Sequence, residues 1–582
     1  MSERSAGEIA AEAQRAAADP RASAWVAASA GTGKTKVLTD RILRLLLDGA
    51  APEKLLCLTF TKAAAAEMAN RLADRLAGWA TAADGRLRED IAALEGTVPD
   101  AARMDAARRL FARVLDTPGG MRIQTIHAFC QSLLARFPIE AGIPPHFAVA
   151  DEATAAELLD AAMTATLARA ATAPALAEAV GVIAGHVREG AFFDLLRGLL
   201  GARGRLERMR AAAGGTEALV ARVAMVLGVA ATDTAESLLA AGCRDGAFDR
   251  AGLAAAAAAL EGGSAKEAER GAVIRAWLAD PDRRAVGIAR YRLAFLTSEG
   301  AVRKQLVNKG TRTAHPAAEP TLATEAERLI ALRERIAAAR TREATAALLT
   351  LADAILDRYG AAKAARAMLD YEDLVLRTRG LLEVPGIAPW VLWKLDGGID
   401  HILVDEAQDT SPDQWAVVAA LAEEFFAGEG ARRGHRTIFA VGDVKQSIYS
   451  FQGADPDAFR RMRAHFAARA AAVEAAWRPV DMNVSFRSTR PVLTAVDTVF
   501  ATSPARDGLI DVAAGDQAVL EHRVSRTGVP GRVELWPLAA PVEDGDDGAL
   551  WDPPVDQRRV VAPVAALARR IARTIARWIA AR

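Results

Sequence analysis

The sequence predicts an α/β protein whose parallel sheet is interrupted by a long all-helical stretch. Three observations predict it. Short apolar runs, each ending in a polar or glycine-rich turn and followed by helical spacing, recur near the start of the chain. From about residue 151 to 366 such runs nearly vanish, and Ala/Leu/Arg/Glu helical patterns dominate. Strands then return, so the helical tract reads as an insertion within an α/β domain.

The elements follow in order. Met1 to Pro20 is polar and helix-prone, without the apolar core of a signal peptide. Ala24 to Ala28 reads as a buried strand that breaks into the loop Ser29-Ala30-Gly31-Thr32-Gly33. A helix from Lys36 to Leu47 follows, with Val37, Leu38, Ile42 and Leu45 at helical spacing. Strand, glycine loop and helix together form the context of a phosphate cradle. Gly31 and Gly33 let backbone N–H groups turn inward, and the helix N-terminus adds partial positive charge. Lys34 reaches the β- and γ-phosphates in this reading, and the Thr35 hydroxyl ligates Mg²⁺. Ala28 stands where the pattern usually has its first glycine. An ordinary glycine-rich turn is the competing reading, and the flanking elements favour the cradle.

A second strand, Leu55 to Lys62, precedes a helix from Ala63 to Leu76. Asp84 to Leu115 reads as helical with a turn at Val98-Pro99-Asp100, and Met121 to His127 as a third strand. The six-alanine run Ala254–Ala259 reads as a packed helix. Ile399 to Val404 ends in Asp405-Glu406, and Thr437 to Val441 ends in Gly442-Asp443. A second α/β texture begins near Val480, with a strand expected at Arg532 to Trp536 and an acidic Gly/Pro loop from Val542 to Pro554. The last helix carries Val564, Leu567, Ile571, Ile575 and Trp578 on one face. Of a membrane-seeking and a core-facing reading, the core-facing one is favoured.

At 582 residues the chain has the length of roughly four domains. Its 73 basic and 73 acidic residues cancel, so any nucleic-acid surface must be local. Its three cysteines, Cys57, Cys130 and Cys243, form no metal pattern and no disulfide framework. A cytoplasmic protein is expected. In a parallel sheet the strand carboxyl ends converge on the ligand crevice. Asp405 is therefore expected beside Mg²⁺, and Glu406 where it orients or deprotonates a water. Alone, the pair would read as a helix cap; with Lys34 and Thr35 it points to phosphoryl transfer.

Further fragments make a resemblance specific. Asp405-Glu406-Ala407-Gln408-Asp409-Thr410 resembles motif II of superfamily 1 helicases of the UvrD/Rep type. Thr59-Phe60-Thr61-Lys62 with Glu67-Met68 resembles their motif Ia, and Thr125-Ile126-His127-Ala128-Phe129 their motif Ib. Val441-Gly442-Asp443-Val444-Lys445-Gln446-Ser447-Ile448-Tyr449 resembles motif III, and Ser485-Phe486-Arg487-Ser488-Thr489 motif IV. The resemblance implies a RecA-like P-loop NTPase motor domain (1–150 and 370–470), a large all-helical insertion (151–369) and the beginning of a second RecA-like domain (475–582). It implies ATP and Mg²⁺ as cofactors, with Ala30, Gly31, Thr32, Gly33, Lys34 and Thr35 around the phosphates. Gln14 stands at the adenine-reading position, Gln446 at the γ-phosphate sensor, and Arg487 at the arginine that crosses to the γ-phosphate. Phe486 replaces the usual Tyr against adenine, and Ser485 the usual Asn. For DNA, the resemblance implies Thr59, Phe60, Thr61, Lys62, Arg71, His127, Tyr449 and Phe451, while Phe129 reads as core. Gln452 replaces a usual Arg.

Leu369-Asp370-Tyr371-Glu372-Asp373-Leu374, Phe451-Gln452-Gly453-Ala454-Asp455 and Gly531 to Pro537 are most similar to the AddA-type component of bacterial AddAB helicase–nucleases. That implies an ATP-dependent 3′–5′ helicase in double-strand break repair, working on single-stranded and duplex-end DNA beside an AddB-like partner. Nothing resembles motifs V and VI or the nuclease domain. The chain therefore reads as an N-terminal part, expected to bind ATP and DNA with weak unwinding. A stand-alone UvrD/Rep-like helicase and a non-catalytic ATP/DNA-binding module are the alternatives.

Overall fold

The structure is a computed structural model and describes residues 5–394, 398–426, 435–448, 453–507, 522–539 and 563–581. The chain divides into two compact units. One holds Met1–Gln14, Ala28–Lys34 and Asp481–Arg582; the other holds Arg15–Ala27 and Thr35–Val480.

The larger unit is built on a sheet. The chain runs through α1 (Ala6–Ala17), β1 (Ser23–Ala28), α2 (Lys34–Leu47), β2 (Leu55–Thr59), α3 (Lys62–Thr81), α4 (Asp84–Glu95), α5 (Ala101–Leu115), β3 (Arg122–Thr125) and α6 (Ile126–Arg136). After the short strands β4 (Ala148–Val149) and β5 (Met368–Leu369) come β6 (His401–Val404), β7 (Thr437–Gly442) and β8 (Trp477–Met482). The sheet order is β3-β2-β6-β7-β1-β8. The pairings of β3 with β2, β2 with β6, β6 with β7 and β7 with β1 are all parallel. β2, β6 and β7 are buried along their whole length, which is why they read as continuous apolar runs rather than alternating ones. Under β1 the Trp25 ring stacks on Trp415 at 5.5 Å and meets Phe459 at 4.7 Å. Phe129 is buried in the same core.

Between β4 and β5 the chain is helical; its one bridge pairs Leu296 with Val302. β4 and β5 pair in parallel, Ala148 with Met368 and Val149 with Leu369, so the tract leaves and returns at one root. Its spine is the 48-residue helix Ala318–Ala365. One end of that helix, Ala318 to Leu329, enters a core with Trp277, Tyr291 and Phe295. The other, Ala347 to Tyr359, enters a separate core with Leu158, Phe192 and Leu196. The alanine run lies in the helix Arg250–Glu261, with Ala256, Ala257 and Ala259 buried.

Charges brace the root. Arg203 bonds Asp370 and reaches Glu372 at 2.7 Å, while Lys363 Nζ reaches Asp370 at 2.8 Å. The Tyr359 hydroxyl donates to Asp370 at 2.6 Å. Burial works to raise the Asp370 pKa, but Arg203 and Lys363 outweigh it and hold the carboxyl far below the usual range. This explains the Leu369–Leu374 motif: Asp370 caps the helix Tyr371–Glu383 and anchors the insertion side at once.

In the smaller unit, β9 (Val484–Ser485) pairs in parallel with β10 (Arg523–Val524). The strand expected at Arg532 to Trp536 does not form. That segment carries no regular secondary structure, and Leu535 is 98% exposed. Val533 and Leu535 are exposed there, and Trp536 is only half-buried, so the run has no core to pair against. The last helix is Pro563–Ala580, but Val564, Leu567, Ile571, Ile575 and Trp578 are exposed, so the core-facing expectation does not hold. No single helix among the described residues is long and apolar enough to cross a membrane. The loop Val542 to Pro554 lies outside the described residues.

Candidate nucleotide and nucleic-acid site

Register decides what the sheet gathers in the larger unit. Leu58 pairs with Val404, Val404 with Ala440, Thr59 with Thr125, and Ala27 with Gly442. The carboxyl ends of these strands therefore share one edge. Asp405-Glu406, Thr59, Gly442-Asp443 and the start of α6 with His127 all follow directly from it.

At that edge Glu406 has φ +46°, ψ +46°, a left-handed conformation that costs a side chain of this kind about 1 kcal/mol. Its N–H donates to Asp405 Oδ1 at 3.0 Å. Gln408, almost fully buried, donates from Nε2 to Glu406 Oε2 (2.9 Å) and Asp409 Oδ2 (3.0 Å). Its Oε1 accepts the Asp443 N–H at 2.9 Å. Asp443 Oδ2 in turn accepts from Gln446 Nε2 at 2.7 Å, and Lys445 pairs with Oδ1 at 3.0 Å. The bridge depends on Gly442, where a Cβ would lie 2.5 Å from Gln408 Oε1. One amide thus ties the strand-end acids of β6 to the turn after β7. Gln408 and Asp443 carried no separate role in the sequence reading, because their link exists only once β6 and β7 are neighbours.

Thr35 is half-buried in the first turn of α2, and its carbonyl accepts from Thr39 Oγ1 at 2.9 Å. Thr59 is buried and donates to the Thr61 carbonyl at 3.0 Å, while Thr61 caps α3 through the Ala64 N–H at 3.1 Å. Phe60 is half-buried; Lys62 is exposed, as is Arg71, which pairs with Glu67 one turn away. His127, in the first turn of α6, sits edge-on to Tyr371 at 5.5 Å, and burial pushes its pKa down. Tyr449, Phe451 and Gln452 lie outside the described residues.

The smaller unit brings a second set together. Gly31 and Gly33 have φ of +75° and +94°. Gly31 O accepts the Phe486 N–H at 2.8 Å, and Ser29 N–H donates to Met482 O at 3.2 Å. A Cβ on Gly31 would lie 2.5 Å from Arg487 Cβ, so this glycine is needed for close approach as well as for its backbone angle. Gln14, buried near the end of α1, donates to Thr32 O at 3.2 Å. Ser485 is fully buried, and its Oγ accepts the Ser488 N–H at 3.3 Å. The Gly31–Gly33 loop thus neighbours both Gln14 and the Phe486-Arg487 pair. Ala30 is exposed, and Lys34 opens α2.

The UvrD/REP helicase N-terminal domain matches residues 9–467. The chain belongs to the UvrD/REP helicase family. Among curated relatives of this UvrD/REP member, the ATP-dependent helicase/nuclease AddA of Desulforudis audaxviator is 30% identical over 568 residues, covering 90% of the chain and 42% of that protein. The protein of the same name from Pelotomaculum thermopropionicum is 28% identical over 566 residues, covering 87% and 39%. That from Lacticaseibacillus casei is 27% identical over 505 residues, covering 82% and 38%. The chain spans about two fifths of the length of these relatives. The UvrD/REP match covers both strand ends that Gln408 joins.

Proposed function

We propose that this chain is the ATP-binding, DNA-engaging part of an AddA-like 3′–5′ helicase that serves double-strand break repair. In this reading 1–150 and 370–470 form a RecA-like motor domain, 151–369 its helical insertion, and 475–582 the start of a second motor domain. The observation that carries it is the shared carboxyl edge of β1, β2, β6 and β7, from which Thr59, Asp405-Glu406 and Gly442-Asp443 emerge.

The parts divide as follows. Gly31, Gly33 and Lys34 hold the triphosphate, Gln14 and Phe486 the adenine. Thr35 and Asp405 fit Mg²⁺, which takes hard oxygen donors and relies on few protein ligands besides substrate phosphates. When bound, the ion neutralises charge on the phosphates. Glu406 accepts a proton from the attacking water, held in line by Gln408. Gln446 reports on the terminal phosphate through Asp443, and Arg487 stabilises the charge that develops there, a role worth roughly 10³–10⁵ in rate. DNA bases stack on Phe60, His127, Tyr449 and Phe451 at about 1–3 kcal/mol each; Thr59, Thr61, Lys62 and Arg71 meet the backbone. An AddB-like protein is the proposed partner, and the cytoplasm the proposed location.

The test is Mg·ATP binding and single-strand-stimulated hydrolysis by the 582-residue chain. Lys34→Ala is expected to weaken binding at least tenfold. Glu406→Gln is expected to keep binding and lose hydrolysis. Unchanged nucleotide affinity in Lys34→Ala overturns the reading.

A further inference from the structure

Arg41, in the middle of α2, is fully buried, and among the described residues none of its hydrogen bonds goes to a carboxylate. Its guanidinium donates to the carbonyls of Ala17 (3.2 Å), Asp19 (2.5 Å) and Ala22 (2.7 Å), and to Thr437 Oγ1 on β7 (2.9 Å). It also lies 5.3 Å from the Phe439 ring centre. The nearby acid Asp19 pairs with Arg478 at 2.9 Å instead. Burial draws the Arg41 pKa down to about 9, a sign of what desolvating this charge costs. One turn further along α2, Arg44 donates to the Arg15 carbonyl at 2.8 Å.

The carbonyl acceptors share one property: they form the end of α1 and the turn that joins it to β1. A helix C-terminus leaves carbonyls without intrahelical partners and carries partial negative charge. Two arginines of α2 satisfy those carbonyls. Gln14 lies one residue before Arg15 on the same continuous helix. The helix that starts at Lys34-Thr35 therefore bolts down the helix that ends just past Gln14.

We propose that Arg41, aided by Arg44, is a positioning residue for base selectivity: it fixes the end of α1 so that the Gln14 amide meets adenine in register with a triphosphate held at the start of α2. This rests on the reading of Gln14 and Lys34 given above. A glutamine amide distinguishes adenine only when both its donor and its acceptor are aligned, and such a pair discriminates by about one to two orders of magnitude. Loosening the end of α1 therefore erodes the choice of base while leaving the phosphate contacts in place.

Calorimetric titration of the full chain with ATP, GTP and inorganic tripolyphosphate, each with Mg²⁺, separates these contributions. For Arg41→Lys the ATP:GTP affinity ratio is expected to fall about tenfold, toward that of Gln14→Ala, with tripolyphosphate affinity within twofold of the parent. Thr437→Val, which removes one acceptor, and Arg44→Gln, which frees one carbonyl, give smaller losses in the same direction and serve if Arg41→Lys does not fold. An unchanged ATP:GTP ratio in the variants that fold overturns the proposal, as does an equal fall for ATP and tripolyphosphate. A parent that binds ATP and GTP alike also overturns it, while the phosphate reading stands. A parent that binds no nucleotide overturns the proposed function itself.

Discussion

Gly31 shows at the scale of one residue how much of the site is local. Its φ of +75° suits glycine, and a side chain there also meets Arg487 Cβ. Gly31→Ala is therefore expected to destabilise the chain by about 2 kcal/mol, read as a lower urea midpoint. The backbone part of that cost was legible in Ser29 to Thr35, because a phosphate loop is written in consecutive residues. The contact part was not, because Arg487 is remote in the chain. Gln408 follows the same logic: its acid neighbours Glu406 and Asp409 are close in sequence, whereas Asp443 comes beside it only through the pairing of β6 with β7. Arg41 was hidden for another reason. The apolar stripe Val37, Leu38, Ile42, Leu45 implies a helix with one wet face, yet α2 is buried nearly all round, Asp40 and Arg41 included.

Elements were most legible where burial and periodicity agree. The apolar strands β2, β6 and β7 and the helices flanking Val98-Pro99-Asp100 follow from their patterns. Arg532 to Trp536 and the last helix have the right spacing but exposed apolar residues, and spacing alone says nothing of what lies opposite. The root of the helical tract makes the complementary point, since its buried brace is made of the charged residues Arg203, Lys363 and Asp370, which no apolar pattern picks out. Arg203→Met leaves Asp370, Glu372 and Asp373 short of a cation in a buried setting and is expected to cost about 3–5 kcal/mol. Glu67→Ala, which breaks the exposed pair with Arg71 on α3, is expected to cost less than about 1 kcal/mol. Thermal unfolding of both variants measures the contrast.

For the molecule as a whole, zero net charge leaves acid sensitivity to individual groups. His401 starts β6, buried, with Nδ1 2.8 Å from Thr437 Oγ1; burial, with Arg41 nearby, pushes its pKa down to about 4. The fold holds this ring neutral, whereas the unfolded chain protonates it near pH 6.5. Stability is thus undiminished above pH 6.5 and falls as pH drops from there toward 4. The loss is about 2 kcal/mol between pH 7 and 4.5, and His401→Gln should lose that much less in urea titrations at the two pH values. The helix Ala318–Ala365 acts on this same scale. Its Tyr359–Lys363 end is held at the root, and its other end belongs to a separate core. At about 1.5 Å per residue it is roughly 70 Å long, so a tilt of about 5° where it is clamped swings its tip by roughly 6 Å. Any helix of this length that tilts as one body converts a sub-ångström shift at its clamped end into several ångströms at the far one.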